Sequence, residues 1–177
     1  MSIAWDTYRR RATALRRVIA DLDRSGSSTL PWNDELAAIF DDPDDLLVAL
    51  HDVWTRRLEG RVDLALEIDE QESVESVALA WREVAGELPG VRRVLDQQAD
   101  NPVLRHSERH EHRLLAVAAG RATISDPLSR SAAEGERLVA RFRDADRPSV
   151  ADTRLTERVA GLVRMIPLPI VGARLGG

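Results

Sequence analysis

Three of the four histidines in this chain lie in one nine-residue stretch, RHSERHEHR, at positions 105–113. Imidazole groups bind metal ions and change charge near neutral pH, so this stretch is a candidate for a metal site or a proton switch. His106 and His110 are one helical turn apart, a spacing that can bring two imidazoles to one metal. With Leu114 taken as inward-facing, we expect His110 on the inner side of its helix, His106 at the margin and His112 outside.

A metal site needs further ligands, and the sequence does not supply them. Di-iron bundles place a Glu three residues before a His on each of two helices, and no histidine here has such a Glu. The chain has no cysteine, which excludes thiolate ligands and disulfides. We therefore predict no metal and no cofactor, with His106 and His110 as weak ligand candidates. A partly buried His110 hydrogen-bonded to a neighbour is the favoured interpretation.

Two arginines on the longest predicted helix are the second candidate. Arg57 and Arg61 fall on the apolar stripe that also carries Trp54 and Leu58. Because an unpaired buried charge is very costly, we expect internal ion pairs, or stems along apolar surface with heads in water. The alternative is a small-molecule pocket at Trp54, Arg57, Arg61 and His110 that binds a carboxylate or a phosphate.

The C-terminal segment MIPLPIVGARLGG is apolar and contains two prolines that cannot continue a helix. It packs over the bundle as a strap, or it docks in extended form on another protein. The residues expected to make partner contacts are Leu168, Ile170, Val171 and Leu175. We predict a helical domain over residues 1–166 and a tail over residues 167–177.

Apolar residues make up 44% of the 177 residues and aromatic residues only 4%. Leu, Ala and Val at helical spacing predict an all-α, single-domain bundle of six to eight helices. The longer helices are predicted over residues 3–24, 44–70, 73–88 and 149–166. Asn101–Pro102 and Asp126–Pro127 are predicted to begin two more, the first of which ends at Gly120, and short helices are predicted after Trp32 and after residues 88–90.

Charge is segregated along the chain, and all 25 basic residues are arginine. Residues 31–75 hold 14 Asp or Glu against 3 Arg, whereas residues 1–30 hold 6 Arg against 3 acids. Such polarity favours docking between helices of one molecule or head-to-tail contact between molecules. The net charge of −5 argues against a general nucleic-acid binder.

No glycine-flanked serine elbow or phosphate-binding glycine loop is present, so nothing points to an enzyme and that question stays open. No apolar run approaches the roughly 20 residues that span a bilayer, and no signal peptide is recognisable. We expect a cytoplasmic, non-enzymatic module that binds a protein partner or itself through the acidic N-terminal half, the tail or both. The alternative function is the anionic-ligand pocket described above.

Overall fold

The computed structural model describes residues 3–68 and 73–145, and every regular element in these ranges is an α-helix. This confirms the predicted all-α bundle of six to eight helices. The seven described helices are α1 (Ile3–Ser25), α2 (Asp34–Ala37), α3 (Pro43–Ile68), α4 (Val74–Glu87), α5 (Pro89–Gln97), α6 (Arg105–Ala118) and α7 (Leu128–Ala145).

Residues 1–142 form one compact unit, and residues 143–177 group separately. Of the second group only residues 143–145, the last residues of α7, are described. The predicted helix over residues 149–166 and the predicted tail lie outside the described residues. The predicted boundary between domain and tail therefore stays a prediction.

Helix α3 is the central element of the first unit, because α1, α4, α5 and α6 all pack against it. Its first turn contains Pro43, Asp44 and Asp45, which suit the fixed φ and the positive dipole of a helix start. Burying each large aliphatic side chain stabilises the fold by about 1.5–3 kcal/mol. The almost fully buried apolar residues of α3 are Leu46, Leu47, Leu50, Trp54, Leu58 and Val62.

Local end signals predicted several helix boundaries correctly. Helix α6 stops where Gly120 adopts a φ of +63°, which a residue with a Cβ rarely does. The N–H of Arg121 donates to the carbonyl of Ala116 at 2.8 Å, and that of Gly120 to Val117 at 3.0 Å. This pair of bonds is a Schellman cap and satisfies carbonyls that the end of the helix leaves open.

At Asn101–Pro102 and Asp126–Pro127 the helices begin later than predicted. The side chain of Asn101 accepts from the N–H of Val103 at 3.0 Å, so residues 102–104 form a turn and α6 begins only at Arg105. The carboxylate of Asp126 accepts from the backbone and the hydroxyl of Thr123, which precedes it. In both places a local turn occupies the side chain that was expected to cap the helix.

Two residues that helical spacing places on inner faces are exposed instead. Tyr8 of α1 is 64% exposed and Ile68 of α3 is 77% exposed. Each lies toward an end of its helix, past the segment in which the neighbouring helices cover the apolar stripe. The sequence therefore encodes longer apolar stripes than the core of the described unit uses.

Helices α6 and α7 approach so closely that only glycine fits between them. A Cβ added to Gly135 would lie 1.8 Å from the carbonyl oxygen of His112, a backbone atom that cannot swing away. On the same helix Leu138, Val139 and Phe142 are buried in the core, as predicted. The missing side chain of Gly135 thus allows this face of α7 to reach the core.

We predict that Gly135→Ala destabilises the protein by about 1–3 kcal/mol, because the methyl group forces the two backbones apart. Gly60→Ala is the matched control, since Gly60 also lies inside a helix but has no atom within 4 Å of an added Cβ. That substitution should stabilise by about 0.5–1 kcal/mol through helix propensity. Urea unfolding followed by circular dichroism checks both, and equal effects of the two substitutions would contradict the close approach.

Candidate functional site

A buried carboxylate joins two helices in the middle of the bundle. Glu111 of α6 is only 4% exposed, and its Oε1 accepts a hydrogen bond from the indole Nε1 of Trp54 on α3 at 3.0 Å. Its Oε2 lies 3.0 Å from Nε2 of His51, one turn earlier on α3, although the N–H does not point straight at the oxygen. On the other side of the ring, Nδ1 of His51 lies 3.3 Å from the hydroxyl of Thr55.

A third helix contributes a positive charge to this cluster. The guanidinium carbon of Arg92 on α5 lies 4.7 Å from the centre of the Trp54 ring, within the range of a cation–π contact. Its Nη2 donates to the carboxylate of Asp96 at 2.8 Å. We call His51, Trp54, Arg92 and Glu111 the buried polar cluster.

Glu111 stays ionised because the cluster outweighs the cost of its burial. Burial alone raises the pKa of Glu111, since a charge is poorly solvated in the interior. The close contact with His51, the positive charge of Arg92 and the hydrogen bond from Trp54 lower it, and the net pKa lies below the usual 4.5. The cluster is closed to solvent, so its evident role is to hold α3, α5 and α6 together.

The two predicted arginines follow Trp54 on α3 and pair with acids of α4. Arg57 and Arg61 both contact the carboxylate of Glu87 on α4, and Nη1 of Arg61 lies 3.4 Å from Glu83. The side chain of Arg57 is 55% exposed, so these are interhelical ion pairs near the surface. The predicted internal ion pairs exist among the described residues, and their acids, Glu83 and Glu87, come from α4.

The four residues of the hypothetical anion pocket are not brought together. Trp54 is fully buried in the polar cluster, whereas Arg57 and Arg61 face Glu87 and are neutralised by it. His110 is exposed on α6. A ligand-binding role for these residues stays a prediction.

The inward orientation predicted for His110 is wrong. Leu115 is fully buried and Leu114 only partly, so the inner face of α6 is rotated by one residue from the predicted one, and it carries Glu111. The rings of His106 and His110 lie 4.4 Å apart at the surface, and Nδ1 of His110 lies 2.9 Å from the carbonyl oxygen of His106. Within residues 3–68 and 73–145, no three His, Asp or Glu side chains are grouped to hold a metal ion.

The predicted partner-binding residues of the tail, Leu168, Ile170, Val171 and Leu175, lie outside the described residues.

An open apolar groove of about 300 Å³ lies between the C-terminal half of α3 and α4. Three of its large side chains are exposed, Leu64 by 45%, Ile68 by 77% and Leu79 by 55%. Ala65 and Ala80 form its floor, and Arg61 and Glu83 stand at one end. Monomeric proteins seldom expose clustered large apolar side chains unless the cluster binds something. We call this feature the α3/α4 groove.

The surroundings of the α3/α4 groove are strongly acidic. The described residues 59–68 and 73–87 hold six Asp or Glu against two Arg. Glu67 lies one turn after Leu64 on α3, and Glu75 lies one turn before Leu79 on α4, so each is beside a lining residue. Both are exposed, and neither has a basic partner in the described part of the chain.

Comparison with family models, with curated proteins and with solved structures finds no significant match to this chain. None of the described helices is long and apolar enough to cross a lipid bilayer.

We predict that Glu111→Leu destabilises the protein by about 3–5 kcal/mol, because it leaves the indole N–H of Trp54 without its acceptor and takes the nearby negative charge away from His51 and Arg92. The double variant His51→Leu/Glu111→Leu should recover part of this loss, since it removes two polar groups together. Glu87→Gln is the control at the exposed ion pair and should cost less than about 1 kcal/mol. Equal losses at Glu111 and Glu87 in chemical denaturation would contradict the assignment of the buried polar cluster.

Acid should weaken the fold through Glu111. Because its pKa is lower in the folded chain than in the unfolded one, it contributes stability that is fully present above pH 4.5 and is lost as the pH falls through the folded pKa. Asp45, held by Arg11, and Glu87 act in the same direction. The melting temperature should fall as the pH is lowered from 7 through the acidic range. In Glu111→Gln the melting temperature should depend less on pH. An unchanged slope in that variant would refute the role of Glu111.

Proposed function

We propose that this chain is a helical protein-interaction module whose α3/α4 groove binds a segment of another polypeptide. The observation that carries the proposal is the exposure of Leu64, Ile68 and Leu79 side by side in an otherwise well-packed bundle. Their burial in a partner would stabilise a complex by about 25 cal/mol per Å² of apolar area, less the entropy lost on association.

The groove favours a side-chain-sized guest from a protein. Its volume of about 300 Å³ is at the lower limit of small-molecule pockets, and its open form cannot surround a compact ligand. The lining offers few polar groups, since Arg61 is already paired with Glu83 and Glu87. A helix or an extended segment that inserts apolar side chains and carries basic flanks meets these requirements.

We also propose a cytoplasmic location, which is supported by the absence of cysteine. We propose no general nucleic-acid binding, because the net charge of −5 opposes contact with a phosphate backbone. The predicted tail at residues 167–177 stays a second proposed contact region.

Photo-crosslinking tests the groove directly. We expect a benzoylphenylalanine residue placed at Leu79 in the full chain to crosslink to a partner polypeptide in lysate of the native cells. The same probe at Ile124, which is 78% exposed but lies outside the groove, should give no such product. Ile68→Glu in the Leu79 probe variant should abolish the crosslink and leave the melting temperature within a few degrees, because exposed substitutions change stability by only about 0.5 kcal/mol.

Equal crosslinking from both probe positions would refute the groove as the binding site. A Leu79 crosslink that survives Ile68→Glu would also refute it, because a charge in the centre of an apolar contact cannot be tolerated.

A further inference from the structure

The first turns of α1 form a second exposed surface of opposite character. The rings of Trp5 and Tyr8 stack with their centres 5.8 Å apart and are 53% and 64% exposed. The guanidinium carbon of Arg9 lies 5.7 Å from the centre of the Trp5 ring. Arg16, two turns along the same row, bonds only to the hydroxyl of Thr13 among the described residues. We call Trp5, Tyr8, Arg9 and Arg16 the α1 edge.

The α1 edge has the composition of a binding surface. Tryptophan, tyrosine and arginine are the residues that most often dominate the free energy of protein–protein contacts. Each of the two stacked side chains has only two rotatable side-chain angles, so little side-chain entropy is lost when they are buried. Neither Arg9 nor Arg16 has an acidic partner in the described part of the chain, whereas Arg11 and Arg17 on the same helix are paired with Asp45 and Glu35.

The α1 edge and the α3/α4 groove complement each other in two respects. The groove exposes three large apolar side chains, and the edge presents two exposed aromatic rings. The groove is bordered by the unpaired acids Glu67 and Glu75, and the edge carries unpaired arginines. Oppositely charged borders around an apolar centre match the arrangement of specific protein interfaces.

We propose that the partner in the α3/α4 groove is a second copy of this chain, which docks its α1 edge there. This inference rests on the proposed function and adds the identity of the guest. Trp5 and Tyr8 of one molecule cover Leu64, Ile68 and Leu79 of the next, while the arginines of the edge face the acidic border. Because two different surfaces meet, the contact is heterologous, so it closes into a ring or continues into longer assemblies.

Sedimentation velocity of the purified full chain tests the inference. We expect the weight-average sedimentation coefficient to rise between about 1 and 100 µM protein, a range in which interfaces of modest affinity associate. Salt of about 0.5 M should weaken association, because it screens exposed charges. Trp5→Ala should weaken it by about thirtyfold or more, as loss of a central aromatic residue does at other interfaces.

Charge reversal identifies the two surfaces separately. Arg9→Glu/Arg16→Glu should weaken self-association by about tenfold or more, and Glu67→Arg/Glu75→Arg should do the same from the other side. An equimolar mixture of these two variants should associate again, since the reversed edge then meets the reversed groove. Arg130→Glu/Arg137→Glu is the control, with the same charge change and the same spacing of seven residues on α7, and should leave association unchanged.

Three outcomes would overturn the inference. A chain that stays monomeric up to about 100 µM, while the Leu79 probe crosslinks a different protein in lysate, leaves the proposed function standing and removes the second copy. A chain that is monomeric and whose Leu79 probe crosslinks nothing removes both. Self-association that is as strong in both charge-reversed variants as in the native chain would show that another surface is used.

Discussion

The described bundle depends on one carboxylate that must not lose its partners. Glu111 is almost completely buried, and an isolated carboxylate in a protein interior would be protonated or would unfold its surroundings. It is held ionised by Trp54 and His51 from α3 and by the charge of Arg92 from α5. Because these contacts have narrow distance limits, they fix the rotation of α6 relative to α3, which aliphatic packing alone specifies less sharply.

That rotation decides which residues remain outside. With Glu111 turned inward, His106 and His110 face away from the core, and the three clustered histidines have no shared interior site. With Trp54 turned toward Glu111, Arg57 and Arg61 are directed to the side of α3 on which α4 lies, where Glu87 neutralises them. The arginines that the sequence marked as candidates for a ligand site thus stabilise the fold, and the histidines form no interior site. The surfaces that remain exposed are apolar or carry single charges.

Sequence reasoning was strongest where the signal is local. The Gly120 cap, the start of α3 and the buried face of α7 are encoded within a few residues of where they act. The phase of α6 was missed because Leu114 and Leu115 are adjacent and equally apolar, and choosing the first placed His110 on the inner side. The sequence of α3 did contain a signal for the buried polar cluster. His51 lies at helical spacing on the same face as Leu47, Trp54 and Leu58, so it could have been predicted to be buried. The pairing of His51 with Glu111 joins residues 60 positions apart and has no local signature.

Tyr8 and Ile68 were expected to be buried and are exposed, for a different reason that bears on the proposed function. Helical spacing correctly marked both as apolar-stripe positions, but spacing does not tell whether a neighbouring helix extends far enough to cover them. In the described unit none does, and both side chains lie in water. Large apolar side chains at these two positions do not stabilise the described unit, because they remain exposed. Its stability comes from the buried apolar residues of α3 and from the buried polar cluster. The exposed ends of these apolar stripes, with unpaired charges of opposite sign beside them on α1 and on α3, are therefore the features that support the proposed contact with another molecule.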